Sequence, residues 1–209
     1  MPVRTSRAER LSTDRSAAKA VIAAARRQFF VHGFRRVSMD DLATELGISK
    51  KTLYAYFPSK TILVEAVLKD KFEEVEADLN RLASERPPDM ETAIHHFLTC
   101  MQRHTAEIQP PFVRDIGREK PDLFQLVEHR RRQLIRRHFG ALFDEGRKAG
   151  VIRKDIPVHL LIEILLGAVQ AIMIPAKLTE FGLTLKAGYS AIIRVILEGA
   201  MGKKLRSRT

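Results

Sequence analysis

Apolar residues recur along this chain at intervals of three and four, the spacing that gathers them on one face of an α-helix. From about Thr13 the positions Ala17, Val21, Ala24, Ala25 and Phe29 follow it, with Ile22 and Phe30 widening the face and Gly33 closing the helix. Met39, Leu42 and Leu46 make a second, shorter face. It opens on Ser38, with Asp41 placed three residues on as a capping-box-like partner, and ends on Gly47. Ile48 fills the corner, Ser49 caps again, and Leu53 with Phe57 form the next apolar pair. These three predicted helices, roughly 13–32, 39–46 and 50–57, are too short or too half-apolar to stand alone, so their faces must meet in one cluster. Pro58-Ser59 ends the third and starts a fourth over about 60–83, whose apolar face changes direction along its length. Such a helix would link the first cluster mechanically to whatever follows.

The remainder reads as helices too. Ser84-Glu85-Arg86-Pro87-Pro88 is a break, and Asp89 caps a helix striped with Ile94, Phe97, Leu98 and Met101. Pro110-Pro111 ends that region; residues 112–119 make a short helix, and a long amphipathic one runs from Pro121 to about Lys148. Residues 157–176 are apolar nearly all round, as are residues 184–199. His159, Glu163 and Gln170 argue against a membrane span for the first of these, leaving a helix buried on all sides in a soluble assembly. Two such helices exceed what one small core needs. Their spare faces, near 157–175 and 184–199, are expected to be covered by the same faces of a second copy.

The predicted fold class is therefore all-α. A basic arm over residues 1–12 precedes a helical domain over 13–60; a larger helical domain spans 61–200 and a basic tail 201–209. Charge sharpens that division. Residues 1–60 carry 12 Arg or Lys against 5 Asp or Glu, a surplus of seven, whereas the other 149 residues hold only the remaining four of the net +11. A basic first domain implies a polyanionic partner, either nucleic acid or an anionic membrane surface. One cysteine cannot close an intrachain disulfide, and the opening residues have no apolar core of a signal peptide, so a cytoplasmic location is expected. Two short helices joined by a tight glycine turn point to a helix-turn-helix whose second helix reads double-stranded DNA.

Within residues 21–68 an ordered set of features makes the reading specific: Phe29-Phe30, Gly33-Phe34, Ser38, Leu42-Ala43, Leu46-Gly47-Ile48-Ser49, Leu53-Tyr54-Ala55-Tyr56-Phe57 and Pro58-Ser59-Lys60. In that order they resemble the DNA-binding domain of the TetR family of bacterial transcriptional regulators. Lys51 stands where a small residue is often found, which adds a cation to the reading face. The resemblance implies an all-helical homodimer with a ligand-binding second domain, most often a repressor released from a palindromic operator by a small-molecule effector. Carried over residue by residue, it gives Ser38 a cap that also touches phosphate, or a cap alone. Ser49 opens the reading helix, and Lys50, Lys51 and Thr52 come within reach of base edges. Tyr54 and Tyr56 offer hydroxyls to phosphates, Tyr54 being alternatively part of the scaffold. Lys60 pairs with a phosphate, and Arg35 and Arg36 either reach the DNA backbone or are simply solvated.

Past residue 70 the resemblance fades. Phe97, Met101, Phe112, Phe139 and Phe143 are candidates to line an effector pocket, or merely to fill core. His95, His96, His104, His129, His138 and His159 show no metal-ligand spacing, so no metal is expected, and Cys100 reads as a small buried residue. The run Arg130-Arg131-Arg132 with Arg136-Arg137 reads most simply as a solvated helix face. No nucleophile–base set or phosphate-cradling glycine loop is present, so neither an enzyme nor a cofactor is expected. Three alternatives stay open: an activator of the same architecture, a regulator answering to a partner protein, and a non-specific architectural DNA binder.

Overall fold

The computed structural model describes residues 7–85 and 87–200; the expected tail over 201–209 and the first six residues of the expected arm lie outside them. Every regular element is a helix among these residues. They are α1 (Arg7–His32), α2 (Met39–Leu46), α3 (Lys50–Tyr56), α4 (Lys60–Ser84), α5 (Met90–Ala106), α6 (Pro110–Glu119), α7 (Pro121–Lys148), α8 (Val158–Ile172), α9 (Pro175–Glu180) and α10 (Leu185–Ala200). The backbone of α1 begins at Arg7, six residues before the start that the apolar pattern marks at Thr13. That opening stretch is polar, so hydrophobic spacing carries no signal for it.

The chain divides into two compact units. The first runs through Glu73 and includes Pro111–Leu123; the second comprises Glu74–Pro110 and the residues from Phe124 onward. By its contacts the chain passes from one unit to the other inside α4, and α6 from Pro111 onward joins the first unit across the intervening segment Glu74–Pro110. Backbone continuity of a helix hides such a boundary, because only the direction of its apolar face changes. In the first unit Phe29, Leu42, Leu53, Leu63 and Val64 are fully enclosed. Each such side chain stabilises the fold by about 1.5–3 kcal/mol through the apolar area it removes from water. Phe112 of α6 adds its ring edge-on to Phe30 at 5.0 Å.

In the second unit, Phe97, Phe139 and Phe143 form a chain of edge-on ring contacts with centroids 5.9 and 6.1 Å apart. Leu165 of α8 packs with Ile192 and Ile196 of α10. The single apolar helix expected over 157–176 is in fact two. Ile174 is extended (φ −104°, ψ 142°) and Pro175 starts α9, because a proline restricts the residue before it to extended backbone and supplies no N–H of its own. For the same reason Pro110 and Pro111 open α6 instead of merely ending what precedes them. No helix among the described residues is long and apolar enough to cross a membrane.

The arginine run on α7 is ion-paired as well as exposed. Arg130 and Arg137 bracket Glu76 at 3.0 and 2.8 Å, and Arg136 meets Glu163 at 2.7 Å. Exposed pairs of this kind contribute about 0–1 kcal/mol each, but they leave these cations engaged with their own unit.

Candidate nucleic-acid interface

The expected reading helix, α3, follows a tight turn, and side chains cap the starts of both α2 and α3. The Ser38 Oγ accepts the Asp41 N–H at 3.1 Å while the Asp41 carboxylate accepts the Ser38 N–H at 2.9 Å and its hydroxyl at 2.7 Å. This is a complete capping box, with Asp in the place usually held by Glu or Gln. Those bonds hold the Asp41 carboxyl below the ordinary carboxylate range, the Ser38 hydroxyl contributing most. Gly47 turns the chain at φ +63°, and the N–H groups of Gly47 and Ile48 return to the carbonyls of Thr44 and Ala43 at 3.1 and 3.0 Å. The Ser49 Oγ then accepts the Thr52 N–H at 3.1 Å and starts α3.

Leu53 and Phe57 are buried beneath α3. Lys50, Lys51, Thr52 and Tyr54 face outward, Tyr54 at 45% exposure. A shallow open cleft is bounded by Lys51, Thr52, Ala55, half-buried Tyr56 and Arg15 of α1. Arg15 is the cation that sequence reading did not assign. Nothing in its local sequence marks it, because only the packing of α1 beside α3 brings it to the reading face.

The candidates differ in what they already bind. The Lys50 Nζ donates to Asp40 at 2.6 Å, a bond that also raises its pKa. Lys60 is turned inward: its Nζ sits 4.4 Å over the Phe34 ring and 3.4 Å from the Arg35 carbonyl. Burial depresses its pKa, opposed by Asp115, Asp41 and Glu119. Arg36 is exposed, and Arg35 reaches Glu119 at 3.6 Å. The turn before α2 is locked by a residue that sequence reading also missed. Buried Asp115 of α6 accepts the Arg35 N–H at 3.0 Å. Gly33, at φ +90°, leaves room for that carboxylate, since a Cβ there would lie 2.6 Å from its Oδ2.

The pocket candidates separate as well. Phe112 belongs to the first unit against Phe30, so it does not join the other four; a loop-flanked aromatic gives no sequence sign of which core it enters. Met101 and Phe139 do line a small cavity of about 30 Å³, together with Thr105, Arg131, Tyr189 and four aliphatic residues. Phe97 and Phe143 pack behind it as core. Arg131 gives one guanidinium nitrogen to Glu128 at 2.7 Å, and its buried Nε has no hydrogen-bond partner among the described residues. Burial raises the Tyr189 phenol well above its ordinary pKa, so it stays protonated.

Residues 21–67 match the family described as bacterial regulatory proteins, tetR family. The chain is 33% identical over 81 residues to the HTH-type transcriptional regulator EthR of Mycolicibacterium smegmatis, covering 39% of this chain and 36% of that protein. It is 49% identical over 45 residues to the uncharacterized HTH-type transcriptional regulator YvaF of Bacillus subtilis, covering 20% and 24%. The chain thus spans about a third or less of the length of the curated relatives it matches. A transcriptional regulator from Saccharomonospora viridis, solved in complex with choline, shares the fold at a TM-score of 0.74 and 17% identity, over 90% of this chain and 100% of that one. The matched segment, residues 21–67, coincides with the helices that build the capped turn and most of the cationic cleft, so the likeness to the tetR family of bacterial regulatory proteins rests on the same residues as the geometry.

Proposed function

We propose that this chain is a sequence-specific DNA-binding transcriptional regulator, acting as a homodimeric repressor that a small-molecule effector releases from a palindromic operator. The observation that carries the reading is the outer face of α3, where Lys51, Thr52 and Tyr54 stand exposed on a helix whose start and inner face are rigidly held. Lysine reaches guanine O6 or N7, the threonine methyl packs on thymine, and tyrosine donates to phosphate. Lys51 and Arg15, which share the cleft, supply cations at the reading face.

Dimerisation is supported by α8. Its inner face is buried, while Leu160 and Ile164 lie one turn apart at 45% and 47% exposure, followed by exposed Gly167 and Ala171. An apolar row of this kind costs free energy in water unless a second copy covers it. For the effector, the lining of Met101, Ile135 and Phe139 favours an apolar body, and Arg131 with Tyr189 favours a hydrogen-bond acceptor or anionic group on it. The cavity must widen to admit one, and this difference between states is what lets a ligand select a dimer geometry that no longer fits two adjacent major grooves.

Selection of bound DNA from a random pool, repeated with candidate effectors, tests the reading. The expected result is an inverted repeat whose recovery falls when an effector is added. A pool that stays random defeats it. Lys51→Ala should change the ranking of operator variants and lower the salt slope by about one.

A further inference from the structure

Sequence spacing considers histidines one at a time, but packing of α4 on α5 in the second unit brings unlike ligands together. Asp78 of α4 and two residues of α5, Cys100 and His104, place one donor atom each within 4.8 Å of the others. Glu74, one turn before Asp78, and Glu107, at the end of α5, form a second such group with the same His104. The His104 Nε2 lies 3.0 Å from the Asp78 Oδ2. Cys100, His104 and Glu107 recur at four and three residues, and Glu74 and Asp78 at four, so each helix presents its donors along one face.

We infer that this cluster is a binding site for a divalent cation of the zinc class, joining α4 to α5. The donor set decides the class. A thiolate and an imidazole select zinc or cobalt over magnesium and calcium, which take oxygen ligands. Bond lengths of about 2.0–2.3 Å put tetrahedral donors roughly 3.3–3.8 Å apart. The Asp78–His104 pair, at 3.0 Å, is slightly shorter than that range and must open a little, and the remaining separations need close by no more than about an ångström. Burial favours the role, with Cys100 and His104 at 6% and 3% exposure and the Asp78 side chain at 21%. Arg81 and Arg103 also hold Asp78, but both guanidinium groups are more than half exposed. They can swing into water as the cation takes the carboxylate, since exposed ion pairs are weak.

The test uses the untagged, reduced full chain titrated with cobalt(II) and then zinc. Cys100 is the chain's one thiol, so any thiolate-to-cobalt charge-transfer band in the near ultraviolet belongs to it. The expected result is a band that saturates at one cobalt per chain, disappears when zinc is added, and is missing in Cys100→Ser. Asp78→Asn, at a partly exposed position, should fold as the parent does by circular dichroism and bind cobalt at least tenfold more weakly. No band in protein whose thiol is shown to be reduced overturns the site. So does a band whose cobalt affinity is unchanged in folded Asp78→Asn.

Discussion

The two units differ in where their exposed groups gather. In the first, backbone ends are met by side chains close in sequence: Ser38 with Asp41, Ser49 with Thr52, and Ser59 with Ile62. Its outward face is polar and cationic at α3. In the second, Asp89 and Thr184 cap in the same way but α8 and α9 have no side-chain cap. Leu160 and Ile164 form an exposed apolar row on α8, whereas the first unit's exposed Val31, Ile62 and Val113 stand on three different helices. On the proposed function, a unit that presents one rigid helix to a fixed duplex geometry gains from local locks, and a unit that pairs and responds to ligand gains from faces whose partners lie elsewhere.

That contrast can be broken where its effects are largest. Replacing Leu160 and Ile164 together by Glu should convert a dimer to a monomer in sedimentation velocity. It should weaken operator binding by about a hundredfold or more, since a second half-site acts only through linkage. A dimer that survives would mean that α8 is not the pairing face. Within the first unit, Gly33→Ala should cost about 2–3 kcal/mol in urea unfolding, from positive-φ strain plus the clash with Asp115. Gly47→Ala meets open space at a similar φ and should cost only about 1 kcal/mol. Equal losses would remove the special role given to the α6 contact.

Smaller effects sharpen the picture. Ser38→Ala should lower stability by about 1 kcal/mol through loss of the cap; thermal unfolding that is unchanged would show the box to be dispensable. In the second unit, burial and then Arg137 hold the His138 imidazole below its ordinary 6.5. Its stabilising contribution is thus complete above about pH 6.5 and is lost as pH falls toward the folded value, because the unfolded chain takes up the proton first. Melting temperature should fall between about pH 7 and about pH 5 less steeply in His138→Leu than in the parent.

Legibility followed the range of the interactions. The extent of α2, the capping box, the Gly47 turn and the burial of Leu53 under an exposed Lys51 all depend on residues within four positions of each other, and sequence carries them directly. The exposure of Tyr54 needed only one further fact, the direction in which α3 faces. Lys60 shows the limit, since its motif marks a cation but not that the Phe34 ring and the Arg35 carbonyl hold it inward.

By itself the sequence determined the helical class, the order of the capped helices on either side of the Gly47 turn and the apolar character of the helices toward the C-terminus. Periodicity, caps and charge are local, so they are written where they act. Tertiary structure alone decided that Asp115 locks the turn at Gly33, that Arg15 joins the reading cleft, that Phe112 leaves the pocket candidates, and that Asp78 meets Cys100 and His104. Each of these joins helices distant along the chain, and no residue's own neighbours record which distant face its helix will meet.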